Sequence, residues 1–486
     1  MAEAVAPAGR DVPLCVDLDG TLVRSDTLHE NLLAVARTKP LALLSLPRWL
    51  SEGKAAMKQH VGAVARIDAA LLPYRDTVLD LIAQARAEGR KVILATAATA
   101  NVAHAVADHV GLFDEVLCSS DSLNLSSHRK AEMLADRFGA GGFDYVGNHW
   151  DDVAVFAQAR RVYLVSTGGR LLKAVQRRHP DATMLTEPAA RPKVWLKAIR
   201  AHQWVKNVLV FIPLAAAGPL TDPRLLGLAI CAFVAFSLFA SSIYILNDLI
   251  DLEPDRLHRT KCKRPFASGR LSVATGIALI PLMLLASVTL SVLFLPPIFL
   301  LCLCIYGVMT AAYTFRLKRQ IVMDVIILAG LYTSRILAGA AATSIKPSFW
   351  LLAFSMFIFL CLAMVKRFSE LRLAVERETT LSGRGYMASD LPVVLSLGSA
   401  SGMVSVLILA LYTQSEIVPK NYPAAEWLWL VPPLMLYWVS RLWMKANRGE
   451  VDDDPVVFAV RDWQSLVIVA IMGLLFVLAR IGFLPL

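Results

Sequence analysis

The stretch YILNDLIDLEPDRLHRTKCKRP, residues Tyr244 to Pro265, decides how this chain is read. It follows directly on one of the most apolar runs of the sequence, then sets four acids before six bases, His258 counted among them. An apolar helix of about 20 residues spans a bilayer, so this charge lies just past a membrane edge. Asp248, Asp251 and Asp255 are spaced i, i+3, i+7 and would share one face of a helix continuing out of the span. Carboxylates gathered on one face repel each other, and burial raises their pKa values. A divalent cation removes that penalty: Mg2+ takes carboxylate oxygens and completes its shell with phosphate oxygens. Lys263 and Arg264 are then placed to hold the rest of a diphosphate. A solvated loop obeying the positive-inside rule explains the bases but not the acid spacing. The stretch therefore reads as a Mg2+–diphosphate clamp at the cytosolic mouth of a helical bundle.

The remaining composition agrees with a membrane location. The chain has 486 residues, 56% hydrophobic and 18% charged, with mean hydropathy +0.54. That is too apolar for an ordinary soluble protein. Residues 1–190 carry charge throughout, whereas long apolar runs alternate with short charged loops from about Val205 onward. The expected domains are a soluble one over 1–190 and a membrane one over 191–486, joined by a linker near Thr186–Lys193. The start, MAEAVAPAGRDVPL, lacks the basic and apolar regions of a signal peptide, so the first domain is expected to stay in the cytosol. The seven cysteines show no zinc or CxxC spacing. The net charge of +10 sits mostly in loops of the membrane half, where attraction to an anionic inner leaflet explains it better than nucleic acid does.

Nine spans are expected, near 205–220, 225–246, 273–294, 296–315, 322–343, 349–365, 391–413, 427–444 and 465–484. Lys and Arg crowd the loops after the second, fourth, sixth and eighth, including Arg372, Arg377 and Arg384 after the sixth, and nearly vanish from the others. The positive-inside rule makes the crowded loops cytosolic, the N-terminus internal and the C-terminus external. The expected location is a bacterial inner membrane.

NDxxDxxxD followed by RP (Asn247, Asp248, Asp251, Asp255, Arg264, Pro265) resembles the first signature of the UbiA superfamily of intramembrane prenyltransferases. The resemblance covers about Trp195 to the C-terminus and implies nine helices around a lipid-facing cavity. Aromatic prenyltransferases of the family usually carry a second DxxxD. Here Asp324 is followed four residues later by Leu328, while Tyr313, Lys318 and Arg335 remain. With IRAHQWVKN (Arg200, Gln203, Trp204, Lys206, Asn207) and VKRFSE (Lys366, Arg367, Glu370), the pattern is similar to the branch of polyprenyl-phosphate, typically decaprenyl-phosphate, phosphoribosyltransferases. That branch implies phosphoribosyl diphosphate as donor and a polyprenyl phosphate as acceptor. One diphosphate clamp then suffices, since the lipid brings a monophosphate that lysines suit as point charges. Lys206, Lys318, Arg335 and Lys366 are the candidates to hold the two phosphate groups. A lone base at a membrane edge also snorkels without any ligand, a reading that applies to Lys366 and Arg367 more than to Arg335, which lies inside an apolar run.

Near the start, LCVDLDGTLV sets Asp17 and Asp19 at the end of a short β-rich run, before Gly20 and Thr21. Two acids flanking one residue at a strand end can divide the work: Asp17 attacks a phosphoryl group and Asp19 serves as acid, then base, with Mg2+ shielding charge. This DxDGT resembles the first motif of haloacid dehalogenase-like (HAD) phosphatases. KVILATAAT offers Thr96, SSHRKAEML offers Lys130, and FDYVGNHWDDVAVF resembles the last motif, with Gly147, Asn148 and Asp152. The resemblance implies a doubly wound α/β fold with catalysis at the strand ends. Residues 27–70 read as helices and as a cap. The family's usual acid is Asn148 here, an uncharged ligand, so metal affinity should fall. A nearby His149 reads as a loop histidine before a ligand, and a regulatory domain without activity is the competing reading.

Joined, the two halves suggest consecutive steps: transfer of 5-phosphoribose to the lipid, then removal of the 5-phosphate to leave a ribosyl lipid for cell-envelope pentose donors. The alternatives are prenylation of an aromatic acceptor for quinone biosynthesis and a sensor or scaffold role for the first domain. A homo-oligomer is left open.

Overall fold

The computed structural model describes residues 12–65, 67–119, 125–165, 169–185, 191–217, 222–376, 384–451 and 454–482. Most of the expected linker, 186–190, and Arg377 lie outside the described residues. The chain forms two compact units, one of Met1–Ala201 with Ser241–Leu282, the other of His202–Ala240 with Met283–Leu486.

The first unit is built on six parallel strands: β1 (Leu14–Val16), β2 (Val92–Thr99), β3 (Glu115–Ser119), β4 (Asp144–Gly147), β5 (Arg161–Leu164) and β6 (Thr183–Met184). Their order is β3-β2-β1-β4-β5-β6. Parallel strands covered on both faces are apolar without alternation. In β1, Leu14 and Val16 enter one core with Val92, Leu94, Val78 and Ile82, while Cys15 enters the other with Ile93, Phe143, Tyr145 and Phe156. The order runs outward both ways from β1 and β4, so the crevice at their carboxyl ends is the switch point where such folds bind ligands. Asp17 and Asn148 follow those two strands directly. β2 continues beyond Thr96, but its register with β3 shifts between Ala95 and Thr99. The expected helical cap is present as Thr27–Thr38, Leu46–Ser51 and Lys54–Val64. Asp26 caps the first, accepting from the N–H groups of Leu28 and His29.

The same unit holds residues 241–282, with the end of helix Pro223–Ile250 and all of helix Leu252–Leu257. The acidic motif does not lie on one straight helix, as its spacing suggests. The helix breaks at Asp251, whose ψ is 18°. Pro254 is the cause: it has no N–H for the carbonyl of Ile250, and its ring crowds that carbonyl.

The second unit is helical, and across the described chain seven helices are long and apolar enough to cross a membrane: Pro223–Ile250, Val273–Phe294, Pro297–Phe315, Met323–Thr343, Phe349–Glu376, Ala388–Thr413 and Trp463–Ile481. Two of the nine expected spans differ. The stretch near 205–220 is a 3-10 helix, Ala201–Phe211, followed by a short α-helix, Ile212–Ala217. The polar Lys206 and Asn207 and the break at Pro213 divide it. The stretch near 427–444 is a 3-10 helix, Ala425–Leu430, and a 17-residue α-helix, Val431–Asn447, which starts at the proline pair 432–433. Leu285, Val292 and Leu293 are exposed, as a lipid-facing surface requires. Helices meet through small residues, which let backbones approach. A Cβ on Gly339 would lie 1.9 Å from the carbonyl oxygen of Val210, and one on Gly398 would lie 2.4 Å from the Trp443 ring.

Asp144, wholly buried at the start of β4, accepts from Arg90 at 2.5 Å and from two nitrogens of Arg160 at 2.8 Å. Asp144→Ala would leave the buried Arg90 without its counter-charge. A loss of about 3–5 kcal/mol is expected in denaturant unfolding of the detergent-solubilised protein, and unchanged stability would count against this account.

Candidate functional site

The crevice of the first unit gathers the residues singled out in the DxDGT reading. Asp17 Oδ1 accepts from Lys130 Nζ at 2.7 Å, and Asp17 Oδ2 from the Thr21 hydroxyl at 3.2 Å. The same hydroxyl reaches Asn148 Oδ1 at 3.0 Å. Asp19 Oδ1 accepts from the Thr27 N–H at 2.7 Å. Asp152 accepts through one oxygen from the N–H groups of Asn148 and His149, and through the other from Tyr145 at 2.9 Å. Thr96 is wholly buried and accepts from the Ala98 N–H at 3.0 Å. Gly20, at φ +72°, makes the turn possible, since a Cβ there would lie 2.2 Å from the Asn148 amide nitrogen. Burial pushes the Asp17 carboxyl up to about 7, against the opposing pull of Lys130. Burial and the Asp26 charge push Asp19 up to about 6, near the range wanted of an acid that then serves as base. Burial disfavours the Lys130 ammonium, but Asp17 and Asp152 outweigh it and raise its pKa. The sequence reading missed Tyr145, which binds both Lys130 and Asp152; its place on β4, two residues before Gly147, was the available signal.

Elsewhere in this unit the acidic motif forms a second cluster. Asp248 Oδ1 and Asp255 Oδ2 both accept from Arg264 Nη1, at 3.0 and 2.5 Å. Arg200 grips Asp248 from another side through two nitrogens, Nε at 3.2 Å. Arg200 holds φ +51°, a costly conformation for a side-chain-bearing residue, and its guanidinium lies 5.3 Å from the Tyr244 ring. Asp251 and Asn247 are half-buried, and Lys263 is exposed. Among the described residues, no three His, Cys, Asp or Glu side chains converge as a metal site. Of the three expected acids, Asp248 and Asp255 meet on Arg264, while Asp251 stands at the break between the two helices.

The second unit holds two further groups. Arg335, buried within helix Met323–Thr343, donates to Asn207 Oδ1 at 2.9 Å, to Tyr306 at 3.2 Å and to the Leu331 carbonyl. It lies 5.1–5.7 Å from the rings of Phe236, Tyr306 and Tyr332. Lys206 pairs with Asp454 and lies 5.7 Å from the Tyr332 ring. Lys366 is near enough to act on both charges of that pair. Gln203 shares the 3-10 helix of Lys206 and Asn207. In the other group, Arg367 is wholly buried, 2.5 Å from Asp324 and paired with Glu370. Tyr386 donates to Asp324 at 2.7 Å, and Arg384 donates to Tyr313 at 2.8 Å. Lys318 sits half-buried on the turn Leu317–Arg319. Asp324 and Arg367, both expected as site residues, pair with each other, and Arg384 lies 3.5 Å from Asp324 and 4.0 Å from Glu370.

Residues 208–466 match the UbiA prenyltransferase family. The chain belongs to that family. Residues 14–157 match the haloacid dehalogenase-like hydrolases, so a UbiA domain here follows a HAD-like domain. The protein y4nM of Sinorhizobium fredii is 39% identical over 474 residues, covering 97% of this chain and 91% of its own. The nodulation protein NoeC of Azorhizobium caulinodans is 35% identical over 58% of this chain and 90% of its own. The decaprenyl-phosphate phosphoribosyltransferase of Mycolicibacterium smegmatis is 37% identical over 46% of this chain and 74% of its own.

Both UbiA and HAD-like resemblances imply Mg2+, and the donor geometry fits it at each place. In the UbiA acidic cluster, two carboxylate oxygens converge on one cationic nitrogen, a donor pair that a divalent cation can also bridge. In the HAD-like domain, Asp17 Oδ2 and Asn148 Oδ1 converge on one hydroxyl, giving two oxygens but a single charge. Asn148→Asp adds the second charge at the same position. It is expected to tighten Mg2+ binding at this site several-fold, read by calorimetric titration of the purified protein, and a weaker or equal affinity would contradict the assignment.

Proposed function

We propose that this multi-pass membrane protein transfers 5-phosphoribose from phosphoribosyl diphosphate to a polyprenyl phosphate, and that its HAD-like domain then removes the 5-phosphate. The observation that carries the reading is the convergence of Asp248 and Asp255 on one cation position, flanked by Arg200 and Arg264. That is an anion-plus-metal arrangement suited to a leaving diphosphate. Leu328, where a second clamp would place an acid, and the similarity to decaprenyl-phosphate phosphoribosyltransferases support a donor with one diphosphate and an acceptor with a monophosphate.

In the transfer, the bond from ribose C1 to the diphosphate oxygen breaks and the diphosphate leaves with the electron pair. An oxygen of the lipid phosphate forms the new bond to C1. Asp248 and Asp255 would hold Mg2+, with Asp251 beside them at the helix break, and the ion would supply positive charge for the departing diphosphate. Arg264 and Arg200, which pair with those carboxylates, would bind diphosphate oxygens. Lys206, Lys366 and Lys318 bring point charges for the lipid phosphate. Arg335, anchored on Asn207 and Tyr306, supports the wall on which Lys206 sits. Acceleration then comes chiefly from orientation and placed charge.

In the second step, Asp17 attacks phosphorus and the ribose 5-oxygen leaves with a proton from Asp19. Water then hydrolyses the aspartyl phosphate, with Asp19 taking its proton back. Lys130 and Thr96 would hold phosphoryl oxygens, and Asp17, Asp19, Asn148 and Asp152 would hold Mg2+, which would shield the phosphoryl charge. The loop charges support a reading in which both reactions take place on the cytosolic face of the inner membrane, with the C-terminus outside.

Membranes carrying the protein are expected to convert phosphoribosyl diphosphate and polyprenyl phosphate to ribosyl lipid, read by mass spectrometry. Asp17→Asn should accumulate the lipid still bearing the 5-phosphate, heavier by one phosphate. Asp248→Ala should make neither lipid. Full product formation by Asp248→Ala with Mg2+ chelated would overturn the transferase reading, and no phosphorylated lipid from Asp17→Asn would overturn the second step.

A further inference from the structure

Within the first unit, the cap helix Thr27–Thr38 and the motif helix Leu252–Leu257 meet through two charge pairs of opposite sense. Glu30 accepts from both terminal nitrogens of Arg256, at 2.6 and 3.1 Å, and Arg37 pairs with Glu253. Glu30 and Arg37 are two turns apart on one helix, and Glu253 and Arg256 one turn apart on the other. The pattern is met only with the helices antiparallel: reversing either one sets Arg37 against Arg256 and Glu30 against Glu253. The Glu30 and Arg256 side chains keep only 3% and 7% exposure, so the pair is desolvated. Arg256 also donates through Nε to the Ala267 carbonyl at 3.1 Å, tying the motif helix to the loop after Arg264. Gly269, at φ +69°, closes the contact, since a Cβ there would lie 2.7 Å from the Arg24 Cβ.

The two ends of this contact lie beside the two reacting centres. Arg256 follows Asp255, and the first residue of Glu30's helix, Thr27, donates its N–H to Asp19. A buried ion pair adds little net stability compared with apolar packing, but it fixes orientation, and breaking it strands a charge. We propose that Glu30, a residue of the HAD-like domain, is a positioning residue for the transferase: through Arg256 it sets the helix that presents Asp255 to the cation and the diphosphate. The inference rests on the transferase reading of the acidic cluster. It makes the acidic clamp complete only when the HAD-like domain is docked, so the phosphorylated lipid forms where its consumer is already in place.

The test uses the full chain in lipid nanodiscs. Glu30→Gln is expected to raise amide hydrogen exchange across residues 251–271 in the absence of Mg2+. It should also raise the Mg2+ concentration for half-maximal lipid transfer and lower the transfer rate about 10–100-fold, as loss of a supporting contact behind metal ligands does. Glu30→Asp should recover part of the rate. Arg48→Ala, which breaks an exposed pair on the cap, should match wild type in all three readouts. Should Glu30→Gln fold poorly, the double variant Glu30→Gln/Arg256→Met strands no charge and is expected to show the same exchange and Mg2+ shift. Wild-type exchange over 251–271 and an unmoved Mg2+ midpoint in either folded variant would overturn the inference. Asp248→Ala separates the two failures: if it keeps making lipid product, the transferase reading falls; if it loses product while Glu30→Gln behaves as wild type, only the coupling falls.

Discussion

Carboxylates withdrawn from water organise both halves of this chain, and the protein meets each with a cation. Asp17 has Lys130, Asp144 has Arg90 and Arg160, and Asp248 has Arg200 and Arg264. Asp324 has Arg367, and Asp454 has Lys206. A desolvated charge without a partner costs several kcal/mol or loses its ionisation. The pairs fall into two kinds. Some are closed, like Asp144 between two arginines or Arg367 between two carboxylates, and such groups hold backbone in place. In others the cation is a flexible side chain standing where, under the proposed reactions, a metal or a phosphate would bind. Lys130 on Asp17 and Arg264 on Asp248 and Asp255 are of this second kind.

That distinction accounts for what the sequence made legible. The sheet was readable because β1 and the start of β2 are apolar runs leading into polar motifs, and the motifs put Asp17 at the end of a strand, where it lies, and Thr96 at the end of another, which instead continues to Thr99. The structure brings Asp17, Lys130, Asn148 and Asp152 into one network with Thr21 and Tyr145. Tyr145 was not legible, since an aromatic residue in a buried strand reads first as packing. The membrane helices were readable from length and composition where the apolar run is clean. They were not where Lys206, Asn207 and Pro213 interrupt it and local 3-10 geometry takes over.

The acidic motif shows the limit from another side. Its spacing predicts one helical face, and a single proline at 254 undoes that by displacing a hydrogen bond at the turn before it. Helical periodicity describes an unbroken ladder and says nothing about a chain that bends within the motif. Likewise the partners of Asp324 were not legible from its place in a signature. Its partners, Arg367 and Tyr386, come from a different helix and a later loop, and no local pattern announces a closed ion pair between distant segments.

The contact at Gly339 sets a vertical scale. The backbone of Val210 lies against this glycine with no space for even a methyl group, and Lys206 and Asn207 stand one helical turn earlier on the same 3-10 segment. Arg335, which holds Asn207, stands one turn before Gly339 on its own helix. The backbone that carries Lys206 is thus set against the helix of Arg335 by two backbones in touch, and Asp454 holds the ammonium itself. Under the proposed transfer, a lysine mounted this way would discriminate between lipid phosphates by height as much as by charge.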